Sequence, residues 1–244
     1  MGKTEVWAHR GASGYIPENK IDAFEEAAIQ HADGIELDVQ MTEDGELVVF
    51  HDETLDRVTE GTGYLKNYTL EQLRRLHVQT PGTKTGTFRI PTLAEVLDLV
   101  RSTGQVLNIE LKNSVFQYEG MDRKVFDLVN EMRMQEQVIY SSFNHFSVCR
   151  LKEMGANIRT GILFSDGWID VAGYAKKLGV EAVHPAIYHF LYPDFVKECR
   201  EAGLKIHVWT VNEPEHLQMA YDQQVEAVIT NYPDRAVKIC KPDL

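Results

Sequence analysis

Short runs rich in β-branched and apolar residues alternate with stretches of helical period along almost the whole chain. No other feature restricts the fold as much. The runs fall at 5–9, 34–39, 47–51, 105–112, 138–143, 158–164, 182–184, 205–210 and 227–230. Helical patterns lie between them at 19–31, 92–101, 122–134, 145–154, 169–178, 193–202 and 213–221, each opened or closed by Gly, Pro, Asn or Asp. Strands that alternate with helices pair in parallel through crossover units, which makes the class α/β. Many of the runs are apolar along their length, as parallel strands covered on both faces must be. The run at 47–51 is the surplus one, because Thr42-Glu43-Asp44-Gly45 before it is a hairpin turn signal. The remaining eight units predict a closed (β/α)8 TIM barrel with a small insertion after the second strand. The alternative, an open doubly wound sheet, normally carries a GxGxxG loop after its first strand. That place holds His9-Arg10-Gly11-Ala12-Ser13-Gly14.

A chain of 244 residues suits one barrel, which typically takes about 250. The rhythm breaks at about 53–90, a stretch rich in Gly, Thr and Lys with a single helical piece at 69–76. It reads as an excursion from the barrel mouth within one domain spanning 1–244. The net charge of −12 argues against nucleic acid and anionic membrane surfaces, which need a positive face. No apolar run approaches the 18 residues of a membrane span. The three widely spaced cysteines and the absence of an apolar leader before the first strand lead us to expect a cytoplasmic protein. The oligomeric state stays open, a homodimer included.

Catalytic groups of a barrel come from the C-terminal ends of its strands. Glu36 and Asp38 stand two apart and share one face of a strand, with Leu37 on the other. Glu110 and Lys112 repeat the geometry. Carboxylates facing a barrel interior need a cation or hydrogen-bond donors. One solution is a single divalent cation held by Glu36, Asp38 and Glu110, and all-oxygen ligation points to Mg2+ or Ca2+. The other is an internal salt-bridge network with Arg10 and Lys112. His9 and His51 end adjacent strands and can supply one base and one acid near neutral pH. Arg10 and Lys112 suit a phosphoryl group. Phe143, Phe164 and Trp209 are expected to wall the pocket and His184 to line it, although aromatics at such places also serve plain packing. His31, His77, His145, His189, His207 and His216 are assigned no chemistry.

These residues sit in a series of motifs: His9-Arg10-Gly11, Pro17-Glu18-Asn19, Glu36-Leu37-Asp38-Val39, His51-Asp52 and Asp56-Arg57-Val58-Thr59. Ile90-Pro91-Thr92-Leu93, Glu110-Leu111-Lys112, Ser141-Ser142-Phe143, Trp209-Thr210-Val211-Asn212 and the closing Ile229-Thr230-Asn231-Tyr232-Pro233-Asp234 continue it. In that order they resemble the glycerophosphodiester phosphodiesterases, over about residues 6–234. The resemblance implies a TIM barrel, His9 and His51 as the acid–base pair, and Glu36, Asp38 and Glu110 as metal ligands. It also implies phosphate contacts from Arg10 and Lys112, and hydrolysis of small glycerophosphodiesters to glycerol 3-phosphate and an alcohol. Lys20 departs from the family, which usually has Thr there, and is expected to alter the charge near the mouth. Competing readings are a lysophospholipase D-like phosphodiesterase, a non-catalytic metal- or phosphate-binding barrel, and a metal-dependent sugar isomerase on the same fold.

Overall fold

A computed structural model describes residues 4–78, 82–83, 86–155 and 157–242. Eight parallel strands close on themselves: β1 Glu5–His9, β2 Gly34–Met41, β4 Val106–Leu111, β5 Val138–Ser142, β6 Thr160–Phe164, β7 Ala182–Pro185, β8 Lys205–Val208 and β9 Ala227–Thr230. Closure comes from β1, which pairs with β9 on one side and with β2 on the other. The remaining strand, β3 Leu47–Val49, runs antiparallel to β2. The hairpin between them turns on Gly45, whose φ of +82° lies where a side chain would be strained. Thr42 secures the same turn by accepting from the Glu46 amide and donating to Asp44.

Strand parity divides the side chains. Ile35, Leu37, Val39, Leu107, Ile109 and Leu111 point outward into a buried layer with helices α1 Ile21–Ile29, α3 Leu93–Thr103 and α4 Met121–Glu131. Helix α3 shows why these segments become helices where they do. Thr92 accepts from the Glu95 amide while Glu95 accepts from the Thr92 amide, a capping box of about 1 kcal/mol. Gly104, at φ 72°, ends the same helix. A second outer layer gathers Ile162, Val183, Ile206 and Val208 against α6 Val171–Leu178, α7 Phe195–Glu201 and α8 Pro214–Asp222. Inward residues fill the barrel axis: Trp7, Ile139, Ala227 and Ile229 make its apolar floor.

Residues 53–90 leave the barrel after β3. Within this stretch lie a 3₁₀ turn at Leu65–Asn67, the single-turn helix α2 Leu70–Leu73, and isolated bridges Thr54–Tyr64, Thr59–Val78 and Val78–Phe88. Its Leu55, Val58, Leu65, Leu73, Val78, Phe88 and Ile90 form one buried cluster with Ile16, Ala23, Val48 and Phe50 of the barrel. The sequence pattern missed one helix, α9 Pro233–Cys240, which packs beside α8 and β1. Its Pro233 at the first turn is a helix-start signal that lies within the closing motif.

Candidate active site

The alternation of β2 delivers Glu36 and Asp38 inward, and β4 delivers Glu110 beside Asp38 in register. One carboxylate oxygen from each of the three lies within 4.8 Å of the others, and all three residues are buried. The acids are unequally neutralised. Arg10 Nε lies 3.2 Å from Asp38, and Lys112 Nζ lies 3.0 Å from Glu110 and 3.9 Å from Asp38. Asn19 Nδ2 donates to Asp38 Oδ2 at 2.9 Å. Glu36 receives the Arg10 amide at 3.0 Å, and the one basic side-chain nitrogen within 4 Å of it among the described residues is His9 Nε2 at 3.9 Å.

The electrostatics follow. Burial, together with Asp38 and Glu110, pushes the Glu36 carboxyl well above its ordinary value. Burial and Asp38 raise Glu110, though Lys112 opposes them. Asp38 goes the other way: burial alone would raise it, but Arg10, His51 and Lys112 overrule burial and hold it ionised. Such a trio of acids stands short of positive charge. Asp38 Oδ1 is buried without a hydrogen-bond partner, a costly arrangement for a bare carboxylate oxygen and the ordinary one for a metal ligand. Three convergent carboxylates, one of which carries an orphaned oxygen, fit a hard divalent cation, which would supply Lewis-acid charge stabilisation for a phosphoryl group.

The two histidines flank this trio. His9 ends β1, and its Nδ1 lies 2.6 Å from Asn231 Oδ1, an acceptor that Ser13 Oγ also reaches at 3.1 Å. Nδ1 therefore donates, and Nε2 keeps its lone pair on the side of Glu36. Burial first, and then the Arg10 charge, lowers the His9 pKa to about 3, so the ring is neutral. His51 follows β3, and its Nδ1 donates to Asp52 Oδ1 at 2.6 Å. Asp52 is held ionised against its burial by His51 and Arg57. Arg57 Nε reaches Asp52 at 2.6 Å, and its terminal nitrogens reach Glu18 at 3.0 and 2.7 Å; Glu18 in turn takes Arg10 Nη1 at 2.9 Å. A chain of charged groups thus runs from His51 through Asp52, Arg57 and Glu18 to Arg10. Asn231, Asp52, Asn19, Glu18 and Arg57 had no role assigned from the sequence, although each lies inside a motif quoted above.

The pocket walls need correction. Phe143 is 37% exposed and meets Trp209 edge-on at 5.6 Å, so both stand at the mouth. Phe164 does not line the barrel interior. It shares the parity of Ile162, points outward and packs against Trp168, His189 and Phe195. His184 points inward but lies below the mouth, fully buried, with Nε2 2.9 Å from His207 Nδ1 and its ring near Trp7. Gly161 makes the room, since a Cβ there would overlap the His184 ring. Lys20 also misses the mouth. It is buried, donates to the Asn19 carbonyl at 3.1 Å and sits over the Phe50 ring, and burial lowers its pKa to about 7.

Comparison with known proteins adds to this geometry. The sequence model of the glycerophosphoryl diester phosphodiesterase family matches residues 9–235. The chain is 39% identical over 240 residues to a glycerophosphodiester phosphodiesterase of Caldanaerobacter subterraneus subsp. tengcongensis, covering 98% of each chain. It is 38% identical to one of Bacillus altitudinis, covering 97% of this chain and 98% of that one. Among solved structures it resembles a phosphodiesterase from Oleispira antarctica in complex with the product sn-glycerol-3-phosphate. The TM-score is 0.88 at 27% identity, over 97% of this chain and 96% of that one.

Proposed function

The chain belongs to the glycerophosphoryl diester phosphodiesterase family and hydrolyses glycerophosphodiesters, and from that premise we propose that it does so with a bound divalent cation and the His9–His51 pair. The observation that carries the metal reading is the buried trio of Glu36, Asp38 and Glu110, with the orphaned Asp38 Oδ1. Oxygen-only ligation favours Mg2+ or Ca2+. Arg10 and Lys112, already beside the trio, hold the phosphoryl oxygens. Neutral His9, with Nδ1 occupied by Asn231, is the base through Nε2. His51, paired to an ionised Asp52, is the acid: a carboxylate on Nδ1 stabilises the imidazolium that donates from Nε2. The products are glycerol 3-phosphate and a free alcohol.

Residues 53–90 belong, on this reading, to the same single barrel unit, because their buried cluster is shared with β3 and α1. No described helix is long and apolar enough to cross a membrane. A cytoplasmic setting accords with three free cysteines. The direct test is release of glycerol 3-phosphate from a panel of diesters, with and without Mg2+ or Ca2+, by the wild type and by His9→Ala and His51→Ala. Each variant should lose on the order of 10²–10⁴ in kcat at an unchanged melting temperature. Full activity after exhaustive chelation would remove the metal from the proposal.

A further inference from the structure

Strand β2 carries one more polar residue with the parity of the ligand trio. Gln40 stands two residues after Asp38, as Asp38 stands two after Glu36, and it is fully buried. Its side chain turns to the segment that bears His51. Strand β3 ends at Val49, and the final backbone bond tying the segment to β2 runs from the Phe50 amide to the Asp38 carbonyl at 2.9 Å. The carbonyls of Phe50, His51 and Asp52 receive no backbone amide among the described residues. Gln40 Nε2 serves all three, at 3.0, 3.2 and 2.6 Å, its two N–H groups shared among three acceptors. The nitrogen must face those carbonyls, so Oε1 faces Tyr118, whose hydroxyl donates to it at 3.0 Å. Burial first, and then the Glu53 charge, pushes the Tyr118 hydroxyl above its ordinary value, so it keeps the proton it donates. Tyr118 lies in the loop between β4 and α4. There Phe116 meets Tyr118 edge-on at 6.3 Å and Tyr64 of the 53–90 excursion at 5.1 Å.

An acid is useful only at the right distance from the oxygen it protonates, and a misplacement of about 1 Å can cost on the order of 10²-fold in rate. Asp52 holds the His51 ring relative to its own backbone. That backbone has left the β2–β3 ladder and needs its own tie to the carboxylates. Glu36, Asp38 and Gln40 share one strand, which is paired to β4 along 34–39 and to β3 at 39–41. A donor on that strand fixes the His51 segment in the same frame as the trio. We infer that Gln40 is a positioning residue that sets His51 at its working distance from the phosphoryl group, with Tyr118 holding the Gln40 amide in the donating orientation. The inference rests on the reading of His51 as the acid, and its test separates the two.

Gln40→Met fills the same space without a donor, and Tyr118→Phe removes one hydroxyl. In diester hydrolysis Gln40→Met should lower kcat about 30- to 100-fold and Tyr118→Phe about fivefold, with KM and cation affinity within about twofold of the wild type. In a His51→Ala background both losses should vanish, because a residue that acts through His51 has nothing left to position. Losses that multiply in that background would overturn the inference. The ring 1H–15N signals of His51, identified by their loss in His51→Ala, should shift in both variants. Unshifted signals beside a reduced kcat would overturn it equally. Should Gln40→Met fail to fold, Tyr118→Phe carries the same cycle and the same spectra. Shifted ring signals together with full turnover by His51→Ala would keep the contact from Gln40 to His51 and defeat the reading of His51 as the acid instead.

Discussion

Asp52 accepts the Nδ1 proton of the residue before it, His51, at 2.6 Å, and so leaves Nε2 as the ring nitrogen that can exchange a proton with a ligand. The carboxylate is itself held by two nitrogens of Arg57, at 2.6 and 3.0 Å, so it has little freedom to follow the ring if it turns. An acid that must protonate a leaving oxygen benefits twice: its orientation is fixed, and its charged form is stabilised.

Asp52→Asn separates these two effects from binding. The amide can still accept a hydrogen bond but carries no charge to stabilise the imidazolium. We expect kcat to fall on the order of 10² with KM little changed. A kcat within about twofold of the wild type would show that Asp52 only packs.

Asn19 stands behind Asp38 as Asp52 stands behind His51. Its amide donates to Asp38 Oδ2 at 2.9 Å, from a backbone in the left-handed region at φ 58°. Asn tolerates that region better than most residues with a side chain. Asn19→Ala should weaken cation binding 10–100-fold by calorimetry, and saturating metal should restore much of kcat. Wild-type affinity in this variant would mean that Arg10 alone positions the aspartate.

Proton release offers a third measurement. Glu36 and Glu110 are both raised by burial and by Asp38, so in the metal-free protein they hold protons at a pH where ordinary glutamates have lost them. A group with a raised folded-state pKa keeps its proton to higher pH, and its proton occupancy rises as pH falls, so an incoming cation must displace that proton. Cation affinity should therefore drop as pH falls from neutral, and binding should expel protons. Calorimetry in two buffers of different ionisation enthalpy reads the number directly. Identical apparent enthalpies at mildly acidic pH would mean that the carboxyls are already ionised.

Much of this arrangement is legible before folding. Period-two spacing puts Glu36 with Asp38 and Glu110 with Lys112 on the inner face, and the β/α rhythm makes that face a barrel interior. What the strand-end reading lacks is depth and side. His184 and Phe164 both lie near strand ends, yet His184 sits a layer below the mouth and Phe164 has outward parity. Partners distant along the chain are harder still. Asn231 fixes the tautomer of His9 from 222 residues away, and only closure of β9 on β1 brings them together. Lys20 misleads for a simpler reason: a charged residue beside a site motif reads as exposed, whereas here the amine is folded back over Phe50.

The last expectation concerns the nucleophile. In a glycerol 3-phosphodiester the 2-hydroxyl sits one carbon from the phosphate-bearing carbon and can reach phosphorus through a five-membered ring. An internal nucleophile carries a large effective concentration, worth about 7–11 kcal/mol at best when well oriented. His9 is suited to start this route, since its lone pair lies at Nε2 and its low pKa keeps the ring free of a proton at neutral pH. On the proposed route it removes the 2-hydroxyl proton while His51 donates to the departing alcohol oxygen. The oxygen–phosphorus bond to glycerol C2 forms as the bond to the alcohol breaks. Water then opens the cyclic phosphate with the histidines in exchanged roles. A 2-deoxy analogue of glycerophosphocholine should therefore bind as a competitive inhibitor and turn over at least 10³-fold more slowly, and a quench of the normal reaction should trap a cyclic phosphate. Hydrolysis of the analogue at a comparable rate would make water the direct nucleophile, with His9 activating it.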